Sequence, residues 1–202
     1  MPRPDAPEGA LRALLSEPTP NPTRVAALLD GLDHAARVAA LRGMRSSQLR
    51  ALFDSVDGCA GFDLDYLVPA HFAPNRAVHH IGRNSLPVFS AFEKRFYRLN
   101  ARKELGGANF QTLSAVTGPG YFVARADPAR SEILIDYQQL PAEAPPGWPP
   151  IRGNETGISR LVYGHMLDTL RRVSQHVSIG SASRDGKPLG AYFALCRVEP
   201  LT

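Results

Sequence analysis

The sequence has 202 residues, 44% of them hydrophobic and 21% charged, which is typical of a globular protein with one good core or two small ones. No apolar run approaches the roughly 20 residues that a membrane-spanning helix needs, and the start of the chain lacks the apolar segment of a signal peptide. Cys59 and Cys196 have no spacing typical of zinc or of a redox pair. We therefore expect a cytoplasmic protein with reduced thiols.

The net charge of +4 raises the question of nucleic-acid binding. The arginines do not form a block, however, and acidic residues are interleaved with them, as in residues 93–95 and 102–104. A nucleic-acid face usually clusters its basic residues on one element and places aromatic side chains among them. The pattern therefore argues against a nucleic-acid partner. Abundant Arg, Ala, Pro and Gly with little Lys is typical of a GC-rich genome.

Residues 1–58 contain short segments in which apolar side chains recur at helical spacing. The Asn21-Pro22 pair is typical of a helix start, and Asp33 can cap the next helix, which ends at Gly43. Ser46 or Ser47 can cap the one that follows. Each predicted helix is too short to be stable alone, so each must pack on a neighbour or on the rest of the protein.

A glycine-rich break at residues 58–61 separates this helical region from the rest of the chain. We predict two parts: a helical N-terminal region at 1–58 and a second domain at 59–202. Residues 62–84 have an irregular pattern interrupted by prolines, with one short candidate strand at 77–81.

One further helix is predicted within the second part. Four apolar side chains recur there at i, i+3, i+7 and i+10: Phe89, Phe92, Phe96 and Leu99. Ser85 can cap this segment, and Pro87 falls in the first turn. The spacing predicts an amphipathic helix over about residues 86–99 that covers a sheet.

After residue 106 the pattern changes to the two-residue period of strands. Candidate strands lie at 110–117, 120–126 and 132–137, with turn signals between them. Residues 141–150 contain five prolines and Trp148, which predicts a long ordered loop. The segment 161–173 fits a helix or a strand, and the short gap to the next strand favours a strand.

The C-terminal part predicts a hairpin around Asp185-Gly186, a pair that adopts the positive φ angles of a tight turn. Its second run, residues 189–198, is apolar on both faces, as in a strand covered on both sides. About six antiparallel strands joined by short turns must close or be covered. We therefore predict an α+β protein with a helical N-terminal segment and an antiparallel, barrel-like sheet.

Three C-terminal segments, residues 166–173, 177–180 and 187–197, resemble the closing meander of small lipocalin-like (calycin-type) barrels of bacteria. In those proteins an Asp-x-x-Arg-Lys/Arg-Val element runs into a strand that bears a glycine, and a Phe-rich strand ends in Arg. The Gly-x-Trp-x-Gly signature near the start of such barrels is missing here. The resemblance implies a barrel that holds a small apolar or amphipathic molecule, in a family where many members have no known activity.

Several histidines and one aspartate are candidates for chemistry. The adjacent His79 and His80 would point to opposite faces of a strand, so they cannot easily share a metal, and no haem attachment motif accompanies them. We predict no metal site, and no cofactor is indicated. His165, Asp168 and His176 form a possible acid–base set, with His165 and Asp168 as the candidate catalytic residues. A structural role for Asp168, paired with a neighbouring arginine, is the alternative.

Four aromatic side chains are candidates for ligand binding. Tyr121, Tyr137 and Tyr163 fall on or near predicted strands, where an inward tyrosine offers an apolar wall with one polar tip. Trp148 lies in the proline-rich loop, which could cover one end of the barrel and place the indole at the cavity mouth. The alternative for each is a core residue with a satisfied polar group.

Three functions stay open from the sequence. The first is a small-molecule binding protein with an apolar or amphipathic ligand inside the barrel. The second is a barrel enzyme that acts on such a ligand by acid–base chemistry, and the third is an interaction module that uses the N-terminal helices. A lined cavity of a few hundred Å³ would favour binding, a convergent His and carboxylate would favour catalysis, and a filled barrel would favour the interaction module. Neither the ligand nor the oligomeric state follows from the sequence.

Overall fold

The computed structural model describes residues 7–59, 61–86, 90–100, 103–110, 119–154, 160 and 163–199. These residues form five helices followed by eight strands. The strands are antiparallel and close into a barrel, which confirms the predicted α+β class with a lipocalin-like barrel. Among the described residues, no helix is long and apolar enough to span a membrane.

The helices are α1 (Pro7–Leu14), α2 (Pro22–Asp30), α3 (His34–Arg42), α4 (Ser46–Ser55) and the single turn α5 (Leu64–Leu67). As predicted, Asn21 caps α2 and Asp33 caps α3 by accepting backbone N–H groups, and Gly43 ends α3. The start of α4 differs from the prediction. Arg45 rather than a serine is its N-cap residue, and the side chain of Gln48 accepts the backbone N–H of Arg45.

The strands are β1 (Val78–Asn84), β2 (Ala91–Arg98), β3 (Leu105–Phe110), β4 (Tyr121–Asp127), β5 (Glu132–Asp136), β6 (Met166–Arg172), β7 (Val177–Arg184) and β8 (Lys187–Arg197). Each strand pairs with the next one along the chain, and β1 pairs with β8 to close the barrel. In the β7–β8 hairpin, Asp185 and Gly186 have φ angles of 50° and 73°. The predicted tight turn is therefore confirmed, since such a turn needs positive φ at both central residues.

One hydrophobic core lies inside the barrel. It contains buried side chains from seven of the eight strands: Val78, Phe96, Leu105, Phe122, Ala124, Ile133, Ile135, Leu170, Phe193 and Leu195. At one end, the segment Phe62–Phe72 packs into this core through its apolar side chains. We call this the packed end. Backbone carbonyls of the same segment accept hydrogen bonds from Arg98 and Arg197, at the ends of β2 and β8.

A second core lies between the helices and the outer face of the barrel. It joins apolar side chains of α1 to α4 with outward residues of β7 and β8, among them Leu11, Leu29, Leu41, Leu49, Leu52, Val177, Ile179, Ala194 and Cys196. The strand β8 is therefore covered on both faces, as its sequence predicts. The apolar stripes of the N-terminal helices are buried in this core, where α3 and α4 pack on the barrel and α1 packs on α2 and α3.

The predicted helix over residues 86–99 is wrong, because residues 91–98 form β2. In this strand Phe92, Lys94 and Phe96 face the barrel interior, while Glu93 and Arg95 face outward. Pairing with β1 and β3 satisfies the backbone and overrides the helical spacing of the aromatic residues. Residues 87–89, which would start the helix, lie outside the described residues.

The remaining strand predictions agree with the structure where it describes them. The short candidate at 77–81 belongs to β1, and the segment 161–173 contains β6, a strand as favoured. Most of the candidate at 110–117 lies outside the described residues. The loop at 141–150 contains neither helix nor strand. The described residues contain eight strands, whereas the sequence predicts about six.

Candidate functional site

A cavity of about 450 Å³ lies inside the barrel, away from the packed end. It opens toward the end of the barrel where β1, β3, β5 and β7 finish. Its apolar lining comprises Leu86, Phe92, Tyr163, Met166, Ala182, Leu189, Ala191 and Phe193. Its polar lining comprises Asn84, Lys94, Asn109, Tyr137, Asp168 and Arg184.

Four of the polar residues, Lys94, Asn109, Tyr137 and Asp168, form one hydrogen-bonded group that we call the polar cluster. The Nζ of Lys94 lies 2.9 Å from Oδ1 of Asn109 and 3.2 Å from Oδ2 of Asp168, and it also contacts the hydroxyl of Tyr137. That hydroxyl donates to Oδ2 of Asp168 at 3.2 Å and accepts from Nδ2 of Asn109 at 2.9 Å. All four residues are at least 95% buried.

Strand pairing brings the polar cluster together. Lys94 on β2 is directly opposite Asn109 on β3. Across the barrel, the backbone N–H of Tyr137, just after β5, donates to the carbonyl of Met166, two residues before Asp168 on β6. Because alternate residues of a strand face the same side, each of these four side chains points inward together with apolar neighbours.

Glycines on the inner face make room for the aromatic walls of the cavity. A Cβ atom at Gly180 on β7 would lie 2.3 Å from the ring of Phe193 on β8, closer than any side chain can approach. The glycine-bearing strand that resembles lipocalin-like barrels thus has a packing reason in this chain. It lets the ring of Phe193 lie over Gly180 and line the cavity.

Burial controls the electrostatics of the polar cluster. It lowers the pKa of Lys94 and raises the pKa of Asp168, while the attraction between the two charges opposes both shifts. Burial also raises the pKa of Tyr137, so its hydroxyl keeps its proton. The Lys94 Nζ lies 4.9 Å from the ring centre of Phe193 and 5.1 Å from that of Phe122, which gives the ammonium favourable contact with aromatic faces.

Two of the four aromatic residues predicted to bind a ligand line the cavity. Tyr137 contributes its hydroxyl to the polar cluster, and its ring stacks on Tyr163 with 5.3 Å between ring centres. The other two lie elsewhere. Trp148 packs on the outer face of the barrel, 4.9 Å from Phe110, 5.4 Å from Tyr97 and 6.2 Å from Tyr121 between ring centres.

The proline-rich loop that contains Trp148 lies along this outer face. The hydroxyl of Tyr121 donates to the carbonyl of Pro149, and that of Tyr97 donates to the carbonyl of Glu143, each at 2.5 Å. Neither Tyr121 nor Trp148 is among the described residues that line the cavity. This loop therefore packs on the outer face of β2, β3 and β4, and Trp148 does not face the cavity.

The three candidate acid–base residues lie in three different places. Asp168 is in the cavity and pairs with Lys94 rather than with a neighbouring arginine. His165 is half-exposed in the turn before β6, with its Nδ1 3.6 Å from Oδ1 of Asp185. His176 lies beyond the opposite end of β6, where its Nδ1 is 2.7 Å from Oε1 of Glu199. The structure therefore does not bring either histidine to Asp168.

The histidine pair of β1 divides between the two faces of the sheet, as predicted. His79 faces outward, and its Nδ1 lies 2.6 Å from Oε1 of Glu93. His80 is buried, and its Nε2 donates to the carbonyl of Leu67 in the packed end at 3.1 Å. Burial lowers the pKa of His80 to about 3. Within the described ranges, no group of three or more His, Cys, Asp or Glu residues could hold a metal ion.

Sequence reasoning missed Lys94 and Asn109. The assignment of residues 86–99 to a helix placed Lys94 on a solvated face. The signal that could have found it is the alternation of Phe92, Lys94 and Phe96, in which one lysine replaces an inward apolar residue of a strand. Asn109 had no comparable signal, because its inward direction depends on its pairing with Lys94.

Comparison with known proteins gives no relative. No family model matches the chain, and no curated protein or solved structure matches it either. The closed eight-stranded antiparallel barrel is consistent with a lipocalin-like fold. Membership in a particular family of such barrels is not confirmed.

Proposed function

We propose that this protein binds an apolar or amphipathic small molecule inside its barrel. The observation that carries the proposal is the cavity itself, with a mostly aromatic and aliphatic wall and one buried polar cluster. Binding sites for small molecules are commonly concave and apolar, with a few well-placed polar groups that orient the ligand, and they commonly measure about 300–1,000 Å³. The cavity volume of about 450 Å³ falls in this range.

The two other functions have less support from the same residues. Acid–base catalysis would rest on Asp168, which lies in the cavity, but no histidine is among the described residues that line it. An interaction module would leave the apolar stripes of the N-terminal helices available to a partner, whereas these stripes are buried in the core that the helices share with β7 and β8. The cavity lining and the buried helix stripes therefore support ligand binding better than either alternative.

Titration with N-phenyl-1-naphthylamine, an uncharged dye that fluoresces in apolar surroundings, tests the proposal. We expect saturable fluorescence enhancement with the wild-type protein. Ala182→Trp should abolish it, because Ala182 lines the cavity and an indole there occupies the space of the dye. Ala91→Trp is the matched control, since Ala91 is exposed on the outer face of β2.

The comparison of the two variants makes the result specific to the cavity. Circular dichroism should show that both variants keep the strand content of the wild type. Equal dye binding by Ala182→Trp and wild type, or no saturable binding by the wild type, would contradict the proposal. Native mass spectrometry of the purified protein provides an independent search for a ligand that copurifies in the cavity.

A further inference from the structure

The hydrogen-bond donors of Lys94 are fully used within the polar cluster. An ammonium group has three N–H donors. Those of Lys94 are directed to Oδ1 of Asn109, the hydroxyl of Tyr137 and Oδ2 of Asp168. The lysine therefore offers no further donor to a ligand that enters the cavity.

Asp168 has one acceptor atom that the polar cluster leaves unused. Its Oδ2 accepts from Lys94 and Tyr137, whereas its Oδ1 is buried and has no hydrogen-bond partner among the described residues. Asp168 lines the cavity and is 98% buried, so its carboxylate is next to the space that a ligand would fill. A buried carboxylate oxygen without a donor is costly, and a ligand that supplies a donor removes that cost.

The polar cluster carries no net charge. If Lys94 and Asp168 are both ionised, their charges cancel, and if the proton moves from lysine to aspartate, both are neutral. A ligand carboxylate beside the cluster would then be a buried charge without a counter-ion, next to Asp168. Buried charges are tolerated only when they are paired, so the cluster disfavours an acidic head group.

We propose that the cavity selects amphiphiles whose polar end is a neutral hydroxyl and rejects molecules of the same length that end in a carboxylate. The hydroxyl donates its hydrogen to Oδ1 of Asp168, and the carbon chain lies along the aromatic and aliphatic wall. A ligand ammonium would meet Lys94 as a second buried cation and is also disfavoured. This inference rests on the proposed function and adds the chemical class of the ligand to it.

A head-group series on the wild-type protein tests the selection. 1-Decanol, decanoate and decylammonium have the same chain and displace bound N-phenyl-1-naphthylamine if they enter the cavity. At neutral pH we expect decanol to displace the dye at a concentration at least about tenfold lower than either charged analogue. Displacement by decanoate at the same concentration as decanol, or at a lower one, would overturn the inference.

A substitution in the cluster should reverse the preference. Asp168→Asn removes the acidic partner but keeps the shape, which leaves Lys94 available to pair with a ligand carboxylate. We expect the ratio of decanol to decanoate affinity to fall by at least about tenfold in this variant. An unchanged ratio in a folded Asp168→Asn protein would contradict the role of Asp168. If the variant does not fold, the wild-type series decides.

Arg184 provides the control for a second binding mode, in which the head group of the ligand lies near the cavity opening and not at the polar cluster. This residue ends β7 and also lines the cavity, so it could attract a carboxylate there. Arg184→Gln should leave the ratio of decanol to decanoate affinity unchanged, and a ratio that depends on Arg184 would overturn the inference. Loss of cavity-dependent dye binding would instead contradict the proposed function, so the two failures can be told apart.

Discussion

The buried pair of Lys94 and Asp168 imposes a thermodynamic cost on the barrel. Taking both charges from water costs several kcal/mol per ion in a protein interior, and well-packed apolar residues often give equal or greater stability. The pair is fully buried, and every donor of Lys94 has a partner. Packing alone does not require this pair, and its position in the cavity wall is consistent with the proposed recognition of a ligand.

His80 predicts a pH dependence of folding. Burial lowers its pKa in the folded protein from 6.5 to about 3, so below pH 6.5 the unfolded chain binds a proton that the folded protein does not. Its contribution to stability is therefore complete above pH 6.5 and is lost as the pH falls toward 3. The free energy of unfolding should decrease there by up to about 1.4 kcal/mol per pH unit from this residue.

The substitution His80→Gln isolates this contribution. Glutamine can still donate a hydrogen bond to Leu67 but does not titrate, so urea unfolding across this pH range should show a shallower slope than in the wild type. His79→Gln is the matched control, because the neighbouring histidine faces outward and pairs with Glu93. A slope in His80→Gln as steep as that of the wild type would rule out the buried histidine as its source.

At the scale of elements, β2 is a strand that the local sequence pattern predicts as a helix. Phe92, Phe96 and Leu99 satisfy a helical spacing, and the inward Lys94 interrupts the alternation that would indicate a strand. Asn109, Tyr137 and Asp168, which lie 15, 43 and 74 residues away, make that lysine acceptable inside a barrel. By contrast, the cap of α2 and the β7–β8 turn were predictable, because their determinants lie within a few residues.

The same reasoning explains which parts of the candidate site could be predicted. The inward tyrosine at 137 follows an alternating apolar strand, and Asp168 lies in a segment with a recognisable pattern. The position of Trp148 could be predicted only from the loop that contains it. A proline-rich sequence indicates a stiff loop but does not indicate the surface on which the loop packs. Its place outside the barrel depends on Tyr97, Phe110 and Tyr121, three aromatic residues that face outward on three strands.

Helix α4 is expected to stabilise the barrel on which it packs. Leu52 is completely buried in the core shared by the helices and the strands β7 and β8. We expect Leu52→Ala to lower the free energy of unfolding by about 2–5 kcal/mol, because it leaves a cavity at that interface. Arg50→Ala on the exposed face of the same helix should change it by no more than about 0.5 kcal/mol.

Urea unfolding monitored by far-UV circular dichroism and by dye release measures both effects. If the helices and the barrel unfold together, Leu52→Ala moves the two signals to lower denaturant in parallel. If the helical signal of the variant is lost at lower urea while dye release keeps its wild-type midpoint, α4 does not stabilise the barrel.

For the whole molecule, one sheet separates two cores. The strand β8 sends Phe193 and Leu195 into the barrel and Ala194 and Cys196 into the core beneath the helices. Side chains tie the two parts together as well. The guanidinium of Arg37 on α3 is almost fully buried and lies 2.7 Å from the carboxylate of Glu199, just beyond β8. This arrangement favours one cooperative folding unit over two independent domains.

Removal of residues 1–58 tests the proposed division of the chain. We expect residues 59–202 to aggregate or lose their cooperative unfolding transition, because Val177, Ile179 and Ala194 would become an exposed apolar face. The measurements are analytical ultracentrifugation and thermal unfolding beside the full-length chain. In the shortened chain, Val177→Thr combined with Ile179→Thr should reduce aggregation, since threonine keeps the strand preference but makes that face more polar. A monomeric fragment with the unfolding midpoint of the full-length protein would instead show that the helices are an appendage.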